Sequence, residues 1–495
     1  MTQRNKYLLG VIILFAFSRL VFYKIGIRFD SSTLEDFIQF LDTVLLRNRL
    51  WESIFFLHCQ PPLFNLFLGV ILKFFPVHWH ILFHIIYLIC GLMLAVTLFL
   101  LMTAMEVDLN IAFFATVLFM ISPSVILYEN WLFISYPEAL LLCVAALALN
   151  LYLRRFAFLY GIIFFVSLML LALTRSIYHL FWFLLIVFFI IAFNRQQWKK
   201  VLLACIIPFT FIFAVYAKNF YLFGNFSTGF VFMSYQLGTM TIHPLSQAEL
   251  EYLLNNKLIS YGTVQELMHV SYMGKTSFEN IRIVPTGIPV LDNFTKTNGQ
   301  PNFNSRYHLF SAKQHYKDAL CALKHFPVRY FKALKWAYIL YCFPGPTDTP
   351  FKNREYIKDY ENIYNFLFYY QNKINSGTLY FPTLWYGLQF VKWDFLSRIF
   401  FFLSAMFYAI LAIFGLKLLY RQWRLNIHGD LSIPFFLSLF FVCINIVYVT
   451  FASGAFAYGG NNRYRFAIDP FYLILFALLL TRLYNFFNFK KIKKC

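Results

Sequence analysis

The chain has 495 residues, of which 60% are hydrophobic and only 13% charged; soluble domains carry roughly 25% charge, so a soluble globular or disordered protein is excluded. The net charge of +20 is spread over the ends of apolar stretches and one long polar region, without a dense patch. That distribution excludes a nucleic-acid binder and fits membrane orientation and contact with anionic lipid. The fold class is an all-α polytopic membrane protein of about ten transmembrane helices, with juxtamembrane helices in the first outer loop and a large mixed extracytoplasmic region.

A bilayer core of about 30 Å needs about 20 apolar residues in helical form. Such stretches lie at 7–23, 80–103, 110–127, 136–153, 157–173, 177–193, 199–217, 396–420, 431–452 and 466–486. The first follows "MTQRNKYLLG" with no small-residue cleavage site after it, so it reads as an anchor and not a signal peptide. With ten spans, the basic clusters Arg4/Lys6, Arg154/Arg155, Arg195 with Lys199/Lys200, Arg421/Arg424 and "FKKIKK" share one face. Short cytoplasmic loops collect Lys and Arg, so both termini are expected in the cytoplasm. Three parts follow: an N-terminal module 1–217 with an outer loop 24–79, an extracytoplasmic region 218–395, and a three-span module 396–495.

In the first outer loop, "DSSTLEDFIQFLDTVLLRN" reads as one amphipathic helix. Leu34, Phe37, Ile38, Leu41, Val44 and Leu45 share a face, and Glu35, Gln39 and Asp42 project from the other. His58, Gln60 and a Pro-Pro step then open the apolar run 61–75. Counting that run as a span would put the first basic cluster opposite most of the others, so it is expected not to cross, with its prolines at the helix start. Glu129 ends the third span in "SPSVILYENWLFISYPEALLL", with Asn130, Trp131 and Tyr136 around it. A carboxylate beside apolar spans is costly unless paired or used. Two acids from different outer loops suit an acid/base or cation site at the membrane surface.

Arg175 in "LALTRSIYHLFW", with His179 one turn on, Lys218 at the end of the seventh span, and Arg463 and Arg465 in "GGNNRYRFAIDP" lie on the same side. Together they read as a cationic ring suited to a phosphate group at the outer leaflet. Region 218–395 reads as short helices, then an irregular loop in "VPTGIPVLDNFTKTNGQPNFN", then an amphipathic helix carrying Tyr356, Tyr360 and Tyr364. Residues 331–343 are a second apolar segment expected not to cross. The eight cysteines form no metal-type CxxC, although Cys321 and Cys342 could pair. Sequons stand at Asn225 and Asn293.

The acid-bearing first loop, then "HCQPPLFNLFLG", then "SP" closing a later span ahead of an acid, resemble the membrane glycosyltransferases of the C superfamily. The nearest branch is the protein O-mannosyltransferase and aminoarabinose transferase type. The likeness covers residues 1–200 by architecture. In that family a catalytic aspartate precedes a "PPL" juxtamembrane helix, often within an adjacent acidic pair. Here the candidates are Glu35/Asp36 and, six residues later, Asp42, which lies at the better distance from the motif.

What the resemblance implies is transfer of a sugar from a polyprenyl-phosphate donor to an acceptor hydroxyl on a glycan, lipid or protein, with inversion, at a bacterial inner membrane. Asp42 would take the acceptor proton. Glu129 would support the site or help bind a divalent cation, Mg or Mn, and Arg175, Lys218, Arg463 and Arg465 would stabilise the departing phosphate. His58, Gln60, Glu35, Gln39, Asn130, Tyr136 and His179 would shape the site. The alternative reading is a transporter or flippase for a lipid-linked substrate, which should place ionisable residues near the bilayer centre.

Overall fold

The computed structural model describes residues 2–155, 157–268, 283–343, 351–369, 395–427, 432–457 and 459–492. Among these residues all regular structure is helical, and strand pairing is limited to two isolated bridges, Asp30 with Trp131 and Thr295 with Pro301. Among the described residues, seven helices are long and apolar enough to cross a membrane. They lie within Gln3–Ile25, Trp79–Ala104, Ser135–Arg155, Arg195–Phe223, Ala405–Arg424, Ile433–Phe456 and Asn461–Asn488. The protein is an all-α membrane protein.

Three of the ten expected spans take other forms. The stretch 110–127 is a pair of helices, Leu109–Ile121 and Pro123–Glu129, bent by 57°. Ser122 caps the second helix by accepting the Val125 N–H, and Pro123 has no N–H with which to continue the first ladder. The stretches 157–173 and 177–193 are Phe158–Thr174 and Leu180–Phe193, of 17 and 14 residues, about 25 and 21 Å at 1.5 Å per residue. The helix after the Pro-Pro step, Leu63–Phe74, has 12 residues, about 18 Å, well short of the hydrocarbon core.

The core is organised around Ser135–Arg155, which packs against Trp79–Ala104, Phe158–Thr174, Ile433–Phe456 and Asn461–Ile492. Its buried Ala139, Ala145, Ala146 and Ala148 carry no bulk beyond Cβ, which lets four neighbours approach one helix.

The stretch 31–49 is not one amphipathic helix. It forms Thr33–Asp36 and Thr43–Asn48 with a turn between them. The backbone groups that would close the helix are taken by other parts of the chain. Lys296 Nζ donates to the Phe37 carbonyl at 3.0 Å, Asn298 Nδ2 donates to the Glu35 carbonyl at 2.7 Å, and the Leu41 N–H donates to Asn65 Oδ1 at 2.8 Å. Tertiary partners here outcompete local periodicity.

Region 218–395 begins with the expected short helices, Phe230–Thr241, Gln247–Asn255 and Tyr261–Met268. Arg306–His325 packs on the first of these, and Pro327–Cys342, which contains most of 331–343, packs against Ile433–Phe456 and Asn461–Ile492. Residues 269–282, 344–350 and 370–394 of the region lie outside the described residues, as does the start of the amphipathic stretch. Its remainder forms Lys352–Ile357 and Lys358–Tyr369. Tyr360 donates to the Ile121 carbonyl at 2.7 Å and its ring meets Phe22, so this tyrosine packs on the first helix. Cys321 and Cys342 are both free thiols; they do not pair.

Three helices of this region meet at a buried polar core. Tyr235 and Tyr307 donate to Glu266 at 2.7 and 2.6 Å, and His315 Nε2 lies 3.3 Å from the same carboxylate. His308 lies between Phe294 and Phe303, with ring centroids 5.3 and 4.6 Å away. Burial, opposed by Glu266 and reinforced by His315, pushes its imidazole down to about 4. In the unfolded chain this group titrates near 6.5, so between about 6.5 and 4 the unfolded state binds the extra proton. Its stabilising contribution is complete above about 6.5 and is lost as pH falls towards 4. Melting temperature in detergent should therefore drop through this window, and His308→Phe, which keeps the stacking, should flatten part of the drop.

Candidate functional site

The predicted site residues divide into separate groups. Glu129 is buried at the end of Pro123–Glu129, where Arg19 binds it in a two-pronged ion pair with Nε–Oε1 2.8 Å and Nη2–Oε2 2.5 Å, and Tyr136 donates to Oε2 at 2.7 Å. Arg19 also donates to the Met120 carbonyl and lies over the Phe15 ring. Gly91 is required opposite this pair, because a side chain there would run into Glu129 Oε2 and Tyr136 Oη. Asn130 fixes the adjoining turn, with Nδ2 donating to the Ile126 carbonyl at 3.0 Å and its own carbonyl accepting from the Asp30 N–H at 2.8 Å. Glu129 is thus a paired internal charge.

Asp42 is also buried and fully engaged. It caps Thr43–Asn48 by accepting the Val44 N–H at 2.9 Å, and it accepts the Thr297 N–H at 2.7 Å and the Thr297 hydroxyl at 2.9 Å. Glu35 is exposed and Gln39 half-buried in the turn that follows. Asp42 and Glu129 therefore do not combine into a cation site, and among the described residues no group of three or more His, Cys, Asp or Glu could hold a metal ion. The residues present do not fit a divalent cation.

The cations behave differently from one another. Arg175 pairs with the buried Glu138, which also accepts from Tyr178 at 2.7 Å, and lies 4.0 Å over the Tyr464 ring. Arg463, half-buried, lies over Phe133 at 4.8 Å and Phe37 at 5.7 Å, and its Nε is buried without a hydrogen bond among the described residues. The two are linked through Tyr464, the chain neighbour of Arg463, whose ring lies under Arg175. Arg465 faces elsewhere, donating to Asp469 at 3.0 Å and to the Tyr341 carbonyl at 2.5 Å, with Tyr408 under its guanidinium. Residues two apart on a helix project about 200° apart, so Arg463 and Arg465 do not serve one anion. Lys218 holds the carbonyls of Phe55 and Leu57, each at 2.8 Å. His179 caps Leu180–Phe193 through the Phe181 N–H and meets Tyr216 edge-on.

Several residues of this neighbourhood were not singled out from the sequence. Glu138 and Arg19 each sit inside an apolar stretch, the same signal that drew attention to Glu129. Asp30 follows the first helix; its backbone pairs with 130–132 through Asp30 N–H to Asn130 O at 2.8 Å and Leu132 N–H to Asp30 O at 2.9 Å. Its Oδ1 accepts from Ser32 N–H at 3.0 Å and stands 3.8 Å from Lys352, while Oδ2 accepts no hydrogen bond from the described residues. Lys296 is a buried ammonium that burial pushes down to about 8, with Cys59 and Asp42 opposing. Trp131, whose backbone bridges that of Asp30, stacks on Phe133 at 4.6 Å, and Phe133 lies under Arg463, so a run of rings extends from the Asp30 backbone to one guanidinium.

The arrangement combines a carboxylate with one oxygen unengaged among the described residues, an aromatic floor, and two guanidinium groups, one from the turn after Phe158–Thr174 and one from the helix Asn461–Ile492. It can accept a proton at one end and neutralise an anion at the other. Comparison of the chain with protein-family models, curated proteins and solved structures finds no match.

Breaking the Arg19–Glu129 pair leaves a buried charge alone. Arg19→Met should destabilise the protein by about 3–5 kcal/mol, and Arg19→Met with Glu129→Gln should recover most of that loss. Thermal unfolding of the two variants in detergent checks this.

Proposed function

We propose that the chain is an integral membrane glycosyltransferase that moves a sugar from a polyprenyl-phosphate donor to an acceptor hydroxyl on the extracytoplasmic side of a bacterial inner membrane, with inversion. The observation that carries this reading is that Arg463 lies over Phe133, which stacks on Trp131, whose backbone pairs with that of Asp30, while Arg175 lies over the ring of Tyr464, the chain neighbour of Arg463. In an inverting displacement the acceptor oxygen attacks the anomeric carbon, its proton passes to a carboxylate, and the bond from carbon to phosphate oxygen breaks. The leaving phosphate carries away the electron pair, and nearby cations lower the cost of that charge.

A carboxylate oxygen that no donor already occupies receives a proton without displacing or crowding a hydrogen bond. Both oxygens of Asp42 accept bonds from Thr297, and one also caps a helix, whereas Oδ2 of Asp30 is unengaged. The base role accordingly moves from Asp42 to Asp30, and Asp42 becomes a positioning residue. Arg175 and Arg463 serve the phosphate, while Lys218 and Arg465 hold the fold. Asp42 and Glu129 are engaged separately, so this reading assigns neither of them to a metal.

Purified protein in lipid nanodiscs, supplied with a panel of polyprenyl-phosphate sugars, tests the reading through transfer to acceptor or hydrolysis of donor. Asp30→Asn should lower turnover by at least about a thousandfold at matched folding, whereas Asp42→Asn should act mainly through stability, leaving turnover per folded molecule within about tenfold. Full activity in Asp30→Asn would return the base to another acid. No binding and no turnover with every donor would favour the transporter reading.

A further inference from the structure

The corner made by residues 56–60 is held by one residue from the far side of the sequence. Asn304 Oδ1 accepts the N–H of His58 at 2.8 Å and of Cys59 at 3.2 Å, its Nδ2 donates to the Phe56 carbonyl at 3.0 Å, and its own carbonyl lies 3.0 Å from His58 Nε2. A carbonyl can only accept, so Nε2 carries the proton and Nδ1 is left as a lone pair. His58 is 3% exposed and Gln60 8%, and neither His58 Nδ1 nor Gln60 Nε2 has a hydrogen-bond partner.

The nearby ammonium groups donate to backbone carbonyls and not to these atoms. Lys218 Nζ holds the Phe55 and Leu57 carbonyls, and Lys313 Nζ donates to the Phe223 carbonyl at 3.1 Å. Pro61 and Pro62 bring no backbone N–H. The Phe223 ring closes one side of the imidazole at 4.4 Å. Burial, with Lys218 and Lys313 adding to it against the Asn304 bond, pushes His58 down to about 3, so Nδ1 remains an acceptor at physiological pH. A buried polar atom left unmatched is costly, and a rigid corner that keeps two of them is prepared for a ligand.

We propose that His58 Nδ1 and the Gln60 amide form an acceptor and donor pair that binds the hydroxyl groups of a sugar ring. A hydroxyl is the group that donates to the first and accepts from the second. The proposal deepens the transferase reading and rests on it for the lipid that carries the sugar. It also gives the Pro-Pro step a role, since two consecutive residues without N–H keep the corner from satisfying itself.

The experiment compares the affinities of protein in nanodiscs for bare polyprenyl phosphate and for its mannosyl, glucosyl and aminoarabinosyl forms. The wild type should prefer one glycosylated form by about tenfold, a gain of the size that one or two hydrogen bonds supply. Gln60→Met, which breaks no side-chain hydrogen bond among the described residues, should reduce that ratio to about one while leaving affinity for bare polyprenyl phosphate unchanged, and His58→Phe should do the same. A preference that persists in both variants, or no preference in the wild type, overturns the sugar subsite without touching the transferase reading. If the wild type binds neither lipid form, the transferase reading falls. Saturation-transfer NMR with the corresponding free methyl glycosides then decides the subsite: a wild-type signal lost in Gln60→Met upholds it, and no signal overturns it.

Discussion

Charge in an apolar interior is tolerated only with a partner in place, and this constraint organises the molecule. Glu129 and Glu138 flank the start of the most enclosed span, Ser135–Arg155, and each meets one arginine and one tyrosine: Arg19 and Tyr136 for the first, Arg175 and Tyr178 for the second. Replacing water around a carboxylate with two or three fixed donors makes burial tolerable, and it also fixes the helices that bring those donors. Arg19 ties the first helix to the bent pair, while Arg175 ties the turn after Phe158–Thr174 to the central helix. Arg463 is the exception, a guanidinium over two aromatic faces whose Nε is left without a hydrogen bond.

A second constraint is imposed by the loop 293–304. Thr297 holds Asp42, Asn298 holds the Glu35 carbonyl, Lys296 holds the Phe37 carbonyl, and Asn304 holds the corner at 56–60. One loop thus sets the shape of two separate stretches of the first connection. Through this loop the described part of region 218–395 is bonded to the first connection. The proposed base, the proposed sugar corner and the cation pair all lie in segments that this loop or the two buried ion pairs fix.

The helical fold was legible because uninterrupted apolar runs of about 20 residues admit few alternatives in a bilayer. The bend at Ser122 was missed when 110–127 was read as one span, although its signal, a helix cap followed by a residue without an N–H, stands in the sequence. The amphipathic pattern over 31–49 misled because periodicity records only which face is apolar, and the carbonyls of Glu35 and Phe37 are claimed by residues more than 250 positions away. Grouping Arg463 with Arg465 ignored a rule the sequence does contain, since a two-residue step on a helix reverses direction. Glu138 carried the same signal as Glu129. Lys296 and Asn304 carried none: a polar residue in a loop looks alike whether it faces solvent or stitches two distant segments together.

The order of the chain along these contacts bears on how the protein is made. Arg175 follows Glu138 by 37 residues, and Glu129 follows Arg19 by 110, so both buried pairs close within the first 175 positions. A ribosome that has released this much chain has already provided a counter-charge for each internal carboxylate. Membrane insertion can then proceed without holding an exposed acid in lipid until the C-terminal helices arrive. Arg463 and the loop carrying Lys296 come afterwards and join a scaffold whose own charges are already neutralised. The face proposed for catalysis would be the last part of the molecule to be completed, so on that proposal an unfinished chain would not act on a lipid donor.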